Sequence, residues 1–141
     1  MAEEIKDDEV IVQTIRKKYN SKIEAGISYY TFITAINNIK LAPRLIQLLA
    51  FINYRGTISS SSARKDFCDM FGSSEATISN MVSELFPLKL LVKDKLKTKI
   101  NPALRIDFDK QVVIKMFIDT VKPVEITEIT EIIEEEVSNG D

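Results

Sequence analysis

Between Pro43 and Gly56 the apolar positions Leu45, Leu48, Leu49 and Ile52 recur three and four residues apart. That spacing is one stripe of an α-helix. Pro43 suits its first turn and Gly56 suits the left-handed residue just past its end. "TIS" follows as a short strand, and the serines 59 to 62 predict a loop ending in a helix cap. A second helix is expected over Ala63 to Phe71, then a turn at Gly72 and Ser73. A third helix begins at Ser74, buries Ile78, Met81, Val82 and Leu85, and is stopped by Pro87. "LLVKDK" and "TKINPALRI" then predict two strands joined by a basic hairpin around Leu96 to Thr98, with Pro102 at a strand end or on an edge strand. Asp109 is expected to cap a last helix in which Val112, Val113, Met116 and Phe117 share a face.

The two ends carry weaker patterns. Residues 1–9 predict a flexible acidic lead-in, and residues 10–122 the folded domain with its N-terminal extension. "VIVQTIRKKYNSKIEAG" predicts a helix from about residue 8 to 18, turning basic at Arg16, Lys17 and Lys18. "ISYYTFITAINNI" is ambiguous: β-branched and aromatic residues favour a strand early, while Ile33, Ile36 and Ile39 suit a helix later. Residues 123–141 form an acidic amphipathic tail in which Ile126, Ile129, Ile133 and Val137 make a narrow apolar stripe. A helix over 124–137 would suit a coiled-coil seam, a groove on a protein partner, or the chain's own domain.

Residues 67–85, "FCDMFGSSEATISNMVSEL", concentrate the strongest signal. Two helices crossing steeply need a tight turn and a small residue where they touch. Gly72 supplies the turn, Cys68 the small residue, and Phe67 and Phe71 flank it toward the core. The element order is helix, short strand, helix, turn, helix, strand, hairpin, strand, helix. This chain therefore resembles the winged helix-turn-helix family, a mainly α fold with a small antiparallel β-wing. It is most similar to small MarR-type regulators and to plasmid RepL-type or phage-encoded members. The matching residues are "DFCDMFGSSEATISNMVSEL" and "KLLVKDKLKTKINPAL", within about residues 43–118.

Burying the stripe of the third helix turns Ser74, Glu75, Ala76, Ser79, Asn80 and Ser83 outward. In DNA-binding relatives those positions face the major groove. Asn80 can grip an adenine edge, Ser74 and Ser79 can bond to phosphate or bases, and Glu75 can accept from a cytosine amino group. The bland alternative is an ordinary polar solvent face. No lysine or arginine lies on this helix. The cations sit nearby instead: Arg64 and Lys65 at the start of the second helix, and Lys93, Lys95, Lys97, Lys99 and Arg105 around the hairpin, with Lys89 before it. Alternation along a strand puts several of these lysines on one face. Phosphate contacts of that kind position a protein, while base contacts specify. Edge protection explains two or three of the lysines without any ligand.

Charge sharpens this reading. The net charge is −2, but residues 3–9 carry five acids and one lysine, and residues 125–141 carry seven acids and no base. Without these ends the chain keeps 18 of its 19 bases and nine of its 21 acids, a body of +9. Such a body suits a polyanion. The chain has no histidine and one cysteine, Cys68, which removes histidine-based catalysis, a structural zinc site and a disulfide framework. Its four glycines are scattered, so no phosphate-cradling loop exists. No cofactor or metal is expected, and an enzyme of carboxylates alone is remote. No apolar run approaches the roughly 20 residues of a bilayer span, the N-terminus does not read as a secretory signal, and a cytoplasmic protein is expected.

The resulting expectation is a non-catalytic, sequence-specific double-stranded DNA-binding protein: a transcriptional regulator or a plasmid or phage replication factor. Dimerisation through the N-terminal helices and tail would put two wings on a pseudo-palindrome. The alternative is a phage-type structural or assembly protein whose winged helix contacts protein.

Overall fold

The computed structural model describes residues 10–120. It is mainly helical with one small antiparallel sheet. The elements are α1 (Lys22–Ile36), α2 (Pro43–Arg55), α3 (Ser61–Phe71), α4 (Glu75–Leu85), β1 (Leu91–Asp94), β2 (Lys97–Ile100) and a 3-10 turn at Pro102–Leu104. Among the described residues no helix is long and apolar enough to cross a membrane.

The ambiguous stretch "ISYYTFITAINNI" is helical through Ile36, so its early strand tendency is overridden. Ser21 caps α1 by accepting from the Glu24 N–H. Thr31 and Thr34 return their hydroxyls to the carbonyls four residues back, an arrangement a helix accommodates. Gly26, Tyr30 and Thr34 are buried on one face, packed toward α2. A Cβ on Gly26 would stand 3.0 Å from the Ala50 Cβ, so this glycine sets how closely the two helices approach. Helix propensity is sacrificed there for packing.

α2 follows the sequence reading: Pro43 opens it, and Gly56 ends it at φ 100° with its N–H on the Ile52 carbonyl. Leu45, Leu48, Leu49 and Ile52 are buried, together with Ile46, Ala50 and Phe51. Ser60 caps α3 through the Ala63 N–H. Gly72 closes α3 at φ 64°, and the Ser73 N–H reaches back to the Cys68 carbonyl, which turns the chain tightly into α4. Phe67 is buried edge-on against Phe51, with Phe71 tilted over it and only partly covered. Ile78, Met81 and Leu85 complete the core from α4, with Val82 packed at its margin.

The sheet departs from expectation in its turn. Asp94 pairs with Lys97, so the hairpin turns at Lys95 and Leu96 rather than over Leu96 to Thr98. The register is fixed at Thr98. Its N–H donates to Ser59 Oγ at 2.6 Å, and its carbonyl accepts from Ile58 N–H and Thr57 Oγ1. The expected "TIS" strand is reduced to that one backbone bond. β2 stops at Ile100, and Pro102 enters a 3-10 turn capped by Asn101 instead of extending a strand. From there the chain runs back over the helices. Tyr30 Oη donates to the Leu104 carbonyl at 2.8 Å, and the Asn53 amide exchanges two hydrogen bonds with the Ile106 backbone.

Two expected helices are absent from the described residues. Residues 10–19 of the predicted helix 8–18 have no regular structure, and residues 8 and 9 lie outside the described part. Three successive cations, Arg16, Lys17 and Lys18, repel one another there, and the helix that forms starts after them, where Ser21 caps it. The helix predicted after Asp109 is also absent, and residues 111–120 have no regular structure. The Asp109 carboxylate is taken by Lys22, and the local turn is held by Asp107, which accepts from the Asp109 and Lys110 N–H groups. Val113, Met116 and Phe117 are exposed instead of sharing a buried face. The stripe predicted over residues 126–137 lies outside the described residues.

Candidate nucleic-acid interface

α4 is held from below and left open above. Ile78, Met81 and Leu85 anchor it, and the opposite side presents Ser74, Glu75, Ala76, Ser79, Asn80 and Ser83, all exposed. Ser74 is the N-cap rather than the first residue of the helix. Its Oγ accepts from the Thr77 N–H at 3.2 Å and lies 2.9 Å from Thr77 Oγ1. Ser74 therefore serves its own helix first, and a ligand would share its hydroxyl. Glu75 sits in the first turn, where a negative charge complements the helix dipole. The Asn80 amide has no hydrogen-bond partner among the described residues, so both its donor and its acceptor stay available.

α4 carries no cation of its own, but the fold lends it one. Arg64 lies on the first turn of α3, half-buried. Its Nε donates to the Ile58 carbonyl at 3.0 Å, and its Nη1 donates to Ser79 Oγ at 3.1 Å. One end of the guanidinium is thus clamped to the body while the other rests on the exposed face of α4. Sequence spacing alone puts Arg64 near a passing backbone; it carries no sign of the contact with Ser79, fifteen residues away.

Other cations are less free than their number suggests. Lys65 pairs with Asp69 one turn along α3 at 3.2 Å. Lys99 Nζ donates to the Asp94 carboxylate at 2.9 Å. That hydrogen bond, with the lysine's charge, holds the Asp94 carboxyl below its ordinary value. The expectation of a shared lysine face holds for only one pair. Cross-strand partners lie on the same side of a sheet. Lys97 opposite Asp94, and Lys99 opposite Val92, share one side. Lys93, opposite Thr98, is on the other, with Leu91 and Ile100. Lys95 is at the tip, at φ 60°, a conformation in which a glycine would be less strained. Arg105 is separated from both groups: it follows Leu104, whose carbonyl receives Tyr30, and its charge acts on that phenol.

Two positioning residues escaped the sequence reading. Ser59 seats the hairpin through Thr98, and nothing in its local sequence marks it. Asn101 ties the base of the hairpin: its N–H donates to the Leu90 carbonyl, its Nδ2 to the Lys89 carbonyl, and its Oδ1 accepts from Ala103. An asparagine before a proline is a recognisable turn signal.

The exposed face of α4 with Arg64 beside it, and the lysines of the hairpin, can each donate hydrogen bonds and attract anions, and the α4 face can also accept them. It has no nucleophile paired with a base. Among the described residues no cluster of three potential ligands could hold a metal ion. No family model matches the chain, and no curated protein or solved structure matches it either.

Proposed function

We propose that the protein is a winged helix-turn-helix that binds double-stranded DNA, with α4 as the reading helix and the β1–β2 hairpin as the wing. It acts without catalysis, as a transcriptional regulator or a plasmid or phage replication factor in the cytoplasm. The observation carrying this reading is the guanidinium of Arg64 resting on Ser79. An exposed helix face with no cation of its own becomes useful to a nucleic acid once a fixed cation borders it. Asn80, one residue on, keeps an amide able to meet an adenine edge at both its atoms. Ser83, Ser79 and Ala76 are small enough to let that face enter a groove. Lys95, Lys97 and Lys93 supply charge from the hairpin, while Lys65 and Lys99 first have to leave their carboxylates.

Fluorescence anisotropy with labelled duplexes of random sequence, at two salt concentrations, tests the reading. Four to five phosphate contacts give a log–log salt slope of about −4. Absence of binding at low salt ends it.

A second reading is favoured by one observation, the row of exposed apolar side chains flanking the helical body. An assembly protein would use them for protein contacts and ignore DNA. Large defined oligomers without duplex binding identify that case.

A further inference from the structure

The β1–β2 hairpin ends in two residues that its turn does not call for. Two-residue connections between antiparallel strands favour asparagine and glycine. Here the pair is Lys95 and Leu96. Lys95 is held at φ 60°, and Leu96 is 86% exposed. Neither residue helps the turn, and backbone outliers of this kind collect where a ligand is met.

The shaft behind this tip is braced. Thr98, two residues from Leu96, is buried. Its N–H donates to Ser59 Oγ, and its carbonyl accepts from Ile58 N–H and Thr57 Oγ1. Asn101 ties the base of the hairpin to the Leu90 and Lys89 carbonyls. Leu96 is therefore held away from the body on a short, fixed strut. Its surroundings are basic: residues 93–97 are all exposed, and their one acid, Asp94, is engaged by Lys99. Lys93 and Lys97 lie on opposite sides of the hairpin. A flat anion meets one of them at a time, whereas a groove has a phosphate row on each side.

We infer that Leu96 is a wedge that enters the minor groove of duplex DNA, opens one base step and bends the helix. The inference rests on the DNA-binding reading above and adds to it the form of DNA preferred. An apolar side chain inserted between base pairs unstacks them, and neighbouring cations hold the phosphates of the bent duplex. A minor groove about 6 Å wide takes a two-residue tip but not the ribbon behind it. Unstacking costs least at flexible pyrimidine–purine steps, so the wedge selects a TA or CA step at a position that α4 does not read.

Fluorescence resonance energy transfer between dyes at the two ends of a duplex of about 30 base pairs, with one central TA step, tests the inference. Wild-type protein should bring the ends together through a bend of about 20–90°. Leu96→Ala should bind about tenfold more weakly and without bending, at an unchanged salt slope because no phosphate contact is lost. Leu96→Met keeps an apolar wedge and should restore the bend. Leu96 is outside the core, so neither variant should shift the melting temperature. On a stiff A-tract the wild type should lose its advantage over Leu96→Ala. A duplex left straight by the wild type, or bent equally by Leu96→Ala, overturns the wedge and leaves the DNA-binding reading standing. Absence of duplex binding at low salt ends both. Leu96-dependent binding to phosphatidylserine vesicles without duplex binding assigns the tip to a membrane surface instead.

Discussion

The outer face of α4 and the β1–β2 hairpin are built on opposite terms. α4 carries no cation along its face and one acid, Glu75, yet Asn80 and Ser83 are unengaged there and the bordering Arg64 is clamped in place. The hairpin is rich in lysine, yet Lys99 is occupied by Asp94, Lys93 lies on the other side from Lys97, and Lys95 sits at a strained tip. Counting charges in the sequence overstates the hairpin and understates the helix. What matters to a polyanion is how many cations are free and how many point one way. Arg64 differs from the hairpin lysines in being a cation fixed in place at the edge of α4.

The severest test of this contrast is Arg64→Ala. It removes a fixed cation and leaves the Ile58 carbonyl and Ser79 hydroxyl without their donor. A charge-assisted hydrogen bond from Arg64 to a phosphate would be worth about 1.5–3 kcal/mol, so its loss should lower duplex affinity about ten- to a hundredfold. Arg64→Lys restores the charge but not the two-point clamp, and should recover the salt slope without the affinity. Thermal melting of each variant separates this from unfolding. Equal losses for Arg64→Ala and for any hairpin lysine would erase the distinction between the two regions.

Asn80→Ala comes next. About 1–3 kcal/mol of discrimination should vanish for the preferred sequence, with random duplex bound as before. Affinity selection from a random-sequence pool, run on both proteins, reads the change directly. A variant that selects the same sites as the wild type would show that the free amide does not read bases.

These expectations depend on features of unequal visibility in the chain. The stripes of α2 and α4, the Pro43 start, the Gly56 and Gly72 stops and a cap within the serines 59 to 62 were all legible, because each is a local rule satisfied by one or two residues, whereas Ser74, expected as the first residue of α4, is its cap. α1 was only half legible, because Gly26 and Thr34 join it to α2 through packing that a local pattern does not encode. The hairpin register was illegible for the same reason: Ser59 determines it through Thr98, 39 residues along the chain. The two missing helices erred in the other direction. Apolar residues were present at 10–15 and 112–118, but no described surface of this chain receives them. At the candidate interface the exposed residues of α4 followed from its buried ones. Which lysines were free did not, since pairing depends on cross-strand neighbours.

Lys95→Ala combined with Lys97→Ala should weaken all duplexes alike, about tenfold, and flatten the salt slope by nearly two units, since each lost phosphate contact removes about 0.9. Lys99→Ala alone should flatten it by less than one unit. If Lys99 matters as much as the other two together, its pairing with Asp94 is broken in the complex.

Asp94 itself offers the finest adjustment. Its carboxyl is held below the ordinary value by the Lys99 hydrogen bond and charge. A depressed acid keeps its interaction above the unfolded-state value near 4 and loses it as pH falls through the folded one. Acidification through that window therefore frees Lys99, and the hairpin gains a cation for phosphate. Asp94→Asn imitates that state at neutral pH. It also removes a negative charge from the side of the hairpin that carries Lys97. Duplex affinity should rise a few-fold and the salt slope should steepen by up to about 0.9. The carboxylate is exposed, so the fold should lose little. Anisotropy titrations of wild type and variant across several salt concentrations measure both quantities. An unchanged slope would mean that solvent already frees Lys99 in the wild type, and the hairpin would then carry more usable charge than its ion pair implies.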